Sequence, residues 1–205
     1  MPKQTFPWKK IVLATKNKGK IGEFSRMFAG FDVEVLTVAD FPDMPDVVED
    51  GETFEANARK KAETIAQVTG LPALADDSGL EVDALDGKPG VYSARFAGPD
   101  ATDEENNAKL VSLLRDIPED KRCARFVSVL ALAVPQGETL LVRGTCEGRI
   151  VLAPKGENGF GYDPHFFLPE KQRTMAELSP EEKNRISHRG QALGKLEAVL
   201  KERFV

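Results

Sequence analysis

The stretch Ala75-Asp76-Asp77-Ser78-Gly79-Leu80 most constrains what this chain can fold into. It follows an apolar run, Leu71-Pro72-Ala73-Leu74-Ala75, that suits a buried strand. The run stops at two adjacent carboxylates, a serine and a glycine. In open α/β sheets, ligands bind beyond the carboxyl ends of the strands. Two aspartates at such an end suit a hard cation, and Mg²⁺ prefers one or two carboxylates completed by substrate phosphates. Turn chemistry is the competing reading, since Asp, Ser and Gly each favour turns.

The rest of the chain bears on that choice. At 205 residues it suits one domain, with room for two lobes and a sizeable core. The net charge of −5 argues against a general nucleic-acid surface, so an anionic ligand needs a local basic pocket. Cys123 and Cys146 form no CxxC, which points to a reducing compartment. With only His165 and His188, a zinc site is not expected. Met1 to Lys10 is polar and broken by Pro2 and Pro7, unlike a signal peptide. The longest apolar stretch, Phe126 to Val134, is too short to span a membrane as a helix. A cytoplasmic protein with neither nucleic-acid nor membrane partner is expected.

Lys10 to Thr15 reads as a first strand running into Lys16-Asn17-Lys18-Gly19-Lys20, after which Ile21, Phe24 and Phe28 recur at helical spacing. Strand, basic glycine-containing turn and helix start make an anion site, because backbone N–H groups and the helix dipole both favour phosphate. A solvated basic turn is the alternative. Val33 and Val35 suggest a half-exposed strand. Asp40 to Asp46 is a loop, and Glu49-Asp50-Gly51-Glu52 is an acidic turn before a helix. Phe54, Ala58, Ala62, Ile65 and Val68 give that helix an apolar face, ended by Gly70 and Pro72. It carries Asn57, Lys60 and Lys61, and Lys61 can reach toward a phosphate. Leu80, Val82 and Ala84 alternate as a further strand. Thr102-Asp103-Glu104-Glu105 is a capping box for a helix buried through Leu110, Leu113 and Leu114.

Cys123 to Val134 and Thr139 to Cys146 read as a long β-hairpin around Pro135-Gln136-Gly137-Glu138, a candidate dimer surface. Gly156 to Pro164 holds three glycines in six residues, implying unusual backbone angles or close approach. Phe160 and Tyr162 there can stack on a flat base or plug a long turn. Ser179-Pro180-Glu181-Glu182 is a strong helix start. His188 and Arg189 open a final helix whose core face is Leu193, Leu196, Val199 or Leu200, and Phe204. Arginine at a helix N-terminus opposes the dipole, a mismatch that hints at a bound anion or base.

Six motifs then line up in order: Thr15 to Lys20, Phe54 to Ala62, Ala75 to Leu80, Pro89 to Arg95, Phe160 to Pro164, and Ser187 to Leu193. With them the chain, from Ile11 to Leu200, resembles the inosine triphosphate pyrophosphatase family and its bacterial dITP/XTP pyrophosphatases. The resemblance implies a single α/β domain, elongated and two-lobed, with a long central mixed β-sheet flanked by helices and an active-site cleft between the lobes. Residues 1–9 would be an N-terminal extension. It further implies a homodimer and Mg²⁺-dependent hydrolysis of deaminated purine nucleoside triphosphates, dITP, ITP and XTP, to monophosphate and pyrophosphate.

Carried over by position, Thr15, Lys16, Asn17, Lys18, Gly19 and Lys20 would bind the triphosphate, helped by Lys61. Asp77 resembles the family's proton acceptor and metal-linked aspartate, with Asp76 beside it and Glu49 similar to a further metal ligand. Ser78 would contact substrate. Phe160, Gly161, Tyr162, Asp163, Lys183, His188 and Arg189 would bind base and sugar. Ala56 departs from the family, which often has Glu there, and Glu55 is one residue off that position. A carboxylate beside a metal has a lowered pKa, so Asp77 would orient water more than act as a strong base. The rival functions are a regulatory module that binds purine nucleotides without cleaving them, and an RNA-binding protein using the lysine-rich turn. Adjacent aspartates favour the enzyme, because extra negative charge beside a triphosphate is costly without a metal.

Overall fold

The computed structural model describes residues 7–204. Its strands are β1 (Lys10–Leu13), β2 (Glu34–Thr37), β3 (Ala73–Val82), β4 (Cys123–Ala133), β5 (Leu140–Ile150), β6 (Phe166–Leu168) and β7 (Arg173–Thr174). Its helices are α1 (Lys18–Phe28), α2 (Phe54–Thr69), α3 (Asp103–Leu114), α4 (Pro180–Ile186) and α5 (His188–Phe204). The strands form one sheet in the order β2-β1-β3-β4-β5-β6-β7. β1 runs parallel to β2 and β3, while β5-β6 and β6-β7 are antiparallel, so the sheet is mixed as expected. Among the described residues no helix is long and apolar enough to cross a membrane.

The chain forms two compact units. The first comprises the chain up to Asp77, Val129–Arg143 and the chain from Ala192. Its core packs Phe24, Phe28 and Phe31 with Ile11, Leu13 and Leu74 of the strands and Ala192, Leu196 and Leu200 of α5. Trp8, ahead of the expected domain start, packs against this cluster. Val199 is half-buried, which decides the register of α5 in favour of Leu200. The Phe204 side chain lies outside the described residues. The second unit comprises Ser78–Ser128 and Gly144–Gln191. Its core joins Leu80, Val82, Phe126, Cys146, Ile150 and Phe166 with Leu110 and Leu114 of α3.

The largest departure from expectation is β3. Asp76 to Gly79 form neither a turn nor a strand end; they lie inside one ten-residue strand with Leu80 and Val82. Turn propensity is a preference of unpartnered residues, and tertiary partners override it. Both aspartates are buried, and the partners that permit this are described below.

Two helix faces also shift. Val68 on α2 and Leu113 on α3 are exposed rather than buried. On α3 the buried stripe runs Asn106, Leu110, Leu114 at four-residue spacing, so Asn106 belongs to it and Leu113 does not. Its Oδ1 accepts from the Ala97 N–H at 2.8 Å and its Nδ2 donates to the Ala94 carbonyl at 3.1 Å. A buried amide satisfied at both ends belongs in a core as readily as an apolar chain.

The capping signals for α3 and α4 hold: Thr102 with Glu105 and Ser179 with Glu182 form complete capping boxes. At the α4–α5 corner, the Gly190 N–H donates to Ser187 Oγ at 3.1 Å. A Cβ on Gly190 would lie 2.0 Å from the Asn184 carbonyl oxygen, so only glycine lets the helices meet this closely. Gly190→Ala therefore overpacks the corner, at a cost of about 1–3 kcal/mol. Calorimetry should register this as a melting temperature lower by roughly 2–4 °C per kcal/mol. An unchanged value would show a corner with slack.

Candidate functional site

In the first unit, β1 delivers Thr15 to Lys20 to the start of α1. Thr15 Oγ1 accepts from the Asn17 N–H at 3.1 Å, and Asn17 Oδ1 caps the helix by accepting from the Lys20 N–H at 3.1 Å. A Cβ on Gly19 would come within 3.2 Å of that capping oxygen. No acidic residue occupies the first turn of α1, and Lys18 and Lys20 do. The turn thus places a helix N-terminus and lysines together, an arrangement that suits phosphate. Beside it lies a groove of about 260 Å³ lined by Thr15, Lys16 and Lys61 with Met44, Pro45 and Val47 of the loop before α2.

Opposite charge meets four lysines here, Lys16, Lys20, Lys60 and Lys61. Lys20 Nζ donates to Asp76 Oδ1 at 2.7 Å, a pair in which Asp76 is almost wholly buried. Lys61 pairs with Glu49 and donates to the Asp76 carbonyl at 3.2 Å. Lys16 lies 3.5 Å from Asp46, and Lys60 2.6 Å from Asp50, both at the surface. Glu55, the candidate substitute for the missing glutamate at Ala56, is engaged elsewhere, 2.9 Å from Arg143 of β5.

Asp77 differs from Asp76. It is 8% exposed, and its Oδ2 is buried without a hydrogen-bond partner. Burial pushes its carboxyl from the ordinary 3.8 up to about 6; a hydrogen bond from Asn57 lowers it, Glu49 raises it, Lys61 lowers it and Asp76 raises it. The lowering that a bound metal would bring is thus opposed by desolvation. Asn57, which sequence reasoning noted on α2 without a role, is 1% exposed and belongs to this site. The signal was its spacing: four residues before Lys61, it shares the same helix face.

Among the described residues no three His, Cys, Asp or Glu side chains converge to cage a metal. One open carboxylate oxygen on Asp77, with Asp76 and Glu49 already paired to lysines, does fit a hard cation. Such a cation takes few protein oxygens and is completed by phosphate and water.

In the second unit, Ser78 follows Asp77 along β3, so its side chain points to the opposite face. The glycine-rich loop is organised by Asp163. Its Oδ2 accepts from the Phe160 N–H at 3.0 Å and from Lys183 Nζ of α4 at 2.5 Å. Burial raises its pKa and Lys183 opposes the rise. Gly159 has a positive φ of 79°, and a Cβ there would strike Asp163 Oδ2 at 2.0 Å. Gly161 is clamped from α3: its N–H donates to Asp103 Oδ2 at 2.7 Å and its carbonyl accepts from Asn107 Nδ2 at 2.9 Å. These α3 contacts had no sequence signal beyond the capping box.

The two loop aromatics separate. Tyr162 is buried and its hydroxyl donates to the Ser93 carbonyl at 2.7 Å, so it is the plug. Phe160 is 63% exposed, with Lys183 Nζ 4.7 Å from its ring centroid, and offers a face. His188 and Arg189 are both buried at the start of α5, and the His188 ring stacks on Phe126 at 5.0 Å. Asp163, Lys183 and Phe160 are thus brought together, and Arg189 is near enough to lower the Asp163 pKa.

The raised Asp77 pKa is a stability statement. The folded protein holds the proton more tightly than the unfolded chain, so stability is greatest below about pH 4 for this group. It is lost as pH rises through about 6. The loss is on the order of 2–3 kcal/mol at neutral pH. Asp77→Asn should therefore raise the melting temperature at pH 7.5 by several degrees and flatten its pH dependence between about 4 and 6. A lower melting temperature for Asp77→Asn throughout that range would contradict this.

The Ham1 family model matches residues 11–199. A dITP/XTP pyrophosphatase of Geobacillus kaustophilus is 55% identical over 194 residues, covering 95% of this chain and 95% of that protein. One of Exiguobacterium sibiricum is 56% identical over 191 residues, covering 93% and 96%. The solved structure of a HAM1 protein from Coxiella burnetii superposes with a TM-score of 0.90 at 46% identity, covering 95% of this chain and all of that one. With a match over nearly its whole length and relatives above half identity, the chain belongs to the Ham1 family.

Proposed function

We propose that this chain is a Mg²⁺-dependent nucleoside-triphosphate pyrophosphatase that hydrolyses dITP, ITP and XTP to monophosphate and pyrophosphate. It would thereby clear deaminated purines from the nucleotide pool. The observation that carries the proposal is the Asp77 carboxylate, buried with one open oxygen near Lys61 and Glu49 and next in sequence to the Asp76–Lys20 pair. High identity to proteins named for this reaction supports it.

Attack of water on the α-phosphorus needs charge neutralisation, positioning and a proton acceptor. Thr15 to Lys20 supply backbone donors and lysines for the phosphates, and Lys61 a further cation. Mg²⁺ at Asp77, with Asp76 and Glu49 as further ligands, would supply electrostatic stabilisation of the phosphates and a more acidic water. Asp77 holds the attacking water and accepts its proton; the rise that burial gives its carboxyl is countered by a bound cation, so its part is to orient the water more than to act as a strong base. Ser78, next along β3 with its side chain on the opposite face, contacts the substrate through its backbone. Phe160 stacks on the base, Gly161 and Tyr162 fix its loop, and Asp163 and Lys183 hold that loop and reach the sugar. His188 and Arg189 donate to the 6-oxo group. The enzyme is cytoplasmic, as its substrates are, and acts as a homodimer, which sedimentation velocity tests.

Phosphorus NMR of inosine triphosphate with enzyme and Mg²⁺ should show pyrophosphate as the first product. Orthophosphate and diphosphate would overturn the assignment, and tight binding without turnover would indicate a regulatory module. Asp77→Asn should lower turnover by several orders of magnitude while leaving nucleotide binding in place.

Base selection gives a separate test. Adenine presents a 6-amino donor where hypoxanthine and xanthine present an acceptor, so donors in the pocket are left unpaired against adenine. Arg189→Ala should reduce kcat/KM for inosine triphosphate far more than for adenosine triphosphate. An equal loss for both would move base recognition to Phe160, Lys183 or the backbone.

A further inference from the structure

Asn57 sits where the acidic turn, α2 and β3 come together. Its Oδ1 accepts from the Gly51 N–H at 2.7 Å, and its Nδ2 lies 3.5 Å from the Gly51 carbonyl. Its side chain also lies close enough to the Asp77 carboxylate to hold that group's pKa down against burial. One amide therefore joins the backbone of the turn that carries Glu49 to the surroundings of the carboxylate whose Oδ2 is buried without a partner. The fit is close. A Cβ on Gly51 would lie 2.7 Å from Asn57 Oδ1 and 2.9 Å from the Ala56 Cβ, so the turn docks only because residue 51 is glycine. At 1% exposure, Asn57 has no solvent to replace either contact.

We infer that Asn57 is a positioning residue for the proposed hydrolysis, fixing the Asp77 carboxylate and the Glu49 turn in one arrangement. The inference rests on the proposed function. An amide suits this role because it donates to a carboxylate and accepts from a backbone N–H at once. An aspartate would keep the acceptor and lose the donor. An alanine would lose both.

The test therefore compares Asn57→Asp with Asn57→Ala. In Asn57→Asp, kcat for inosine triphosphate should fall about 10- to 100-fold, the scale for partners that orient a metal-site carboxylate. KM, and the nucleotide Kd measured by calorimetry without Mg²⁺, should stay within about threefold, since uniform binding is untouched. Amide hydrogen exchange gives a readout free of activity. Exchange at Gly51 should remain slow in Asn57→Asp and quicken in Asn57→Ala.

A folded Asn57→Asp with kcat within about twofold of wild type would overturn the inference. So would a loss carried entirely by KM. Should Asn57→Asp not fold, Gly51→Ala carries the test, because its Cβ must displace the turn from an intact Asn57. The same kcat loss is expected there, and unchanged kcat overturns the inference. If wild type releases no pyrophosphate, the proposed function fails; active wild type with unaffected variants fails the inference alone.

Discussion

Two neighbouring carboxylates inside a buried strand must each find a compensating partner or keep a proton. β3 solves this differently at each position. Asp76 is given a cation, Lys20, from the first turn of α1. Asp77 is given one neutral donor and an open oxygen, so burial prevails and its pKa rises. The placement of α1, α2 and the acidic turn follows from these needs, since each contributes a group that the strand cannot bury without.

The second unit repeats the device with one carboxylate. Asp163 gathers a backbone N–H from its own loop and an ammonium from α4, and Gly159 is glycine because that carboxylate occupies the space of a Cβ. The loop is thereby rigid at its base, while Phe160 at its crest remains uncovered. Rigid support beneath an exposed ring keeps the ordering cost of stacking on a ligand small.

Local signals were legible in the sequence where a short pattern has one physical outcome. The caps at Thr102 and Ser179, the glycine that ends α2 and the hairpin strands formed where patterning placed them, with β5 running on to Ile150. The family motifs supplied the candidate site residues by position. What patterning could not reach were outcomes decided by partners distant in sequence. The continuity of β3 through Asp76 and Asp77 depends on Lys20 and Asn57. The burial of Asn106 depends on two backbone groups near Ala94 and Ala97, and the buried hydroxyl of Tyr162 on the carbonyl of Ser93. Polar residues advertise turns and surfaces until a specific acceptor or donor is known, and only the folded chain names it.

Four lysines of the first unit come with counter-charges on the same chain: Asp46, Asp76, Asp50 and Glu49 face Lys16, Lys20, Lys60 and Lys61. On the proposed reading, a polyphosphate entering here exchanges partners and does not add to bare cations. It liberates tethered carboxylates, so few mobile ions leave the surface and the entropy of their release is small. Affinity for the nucleotide should then change little with ionic strength, unlike sites whose counter-charge comes from the electrolyte. The same swap frees Glu49 and Asp76 as the phosphates arrive. Anion capture would thus create ligands for a divalent cation, coupling the arrival of the two through the chain's own charges.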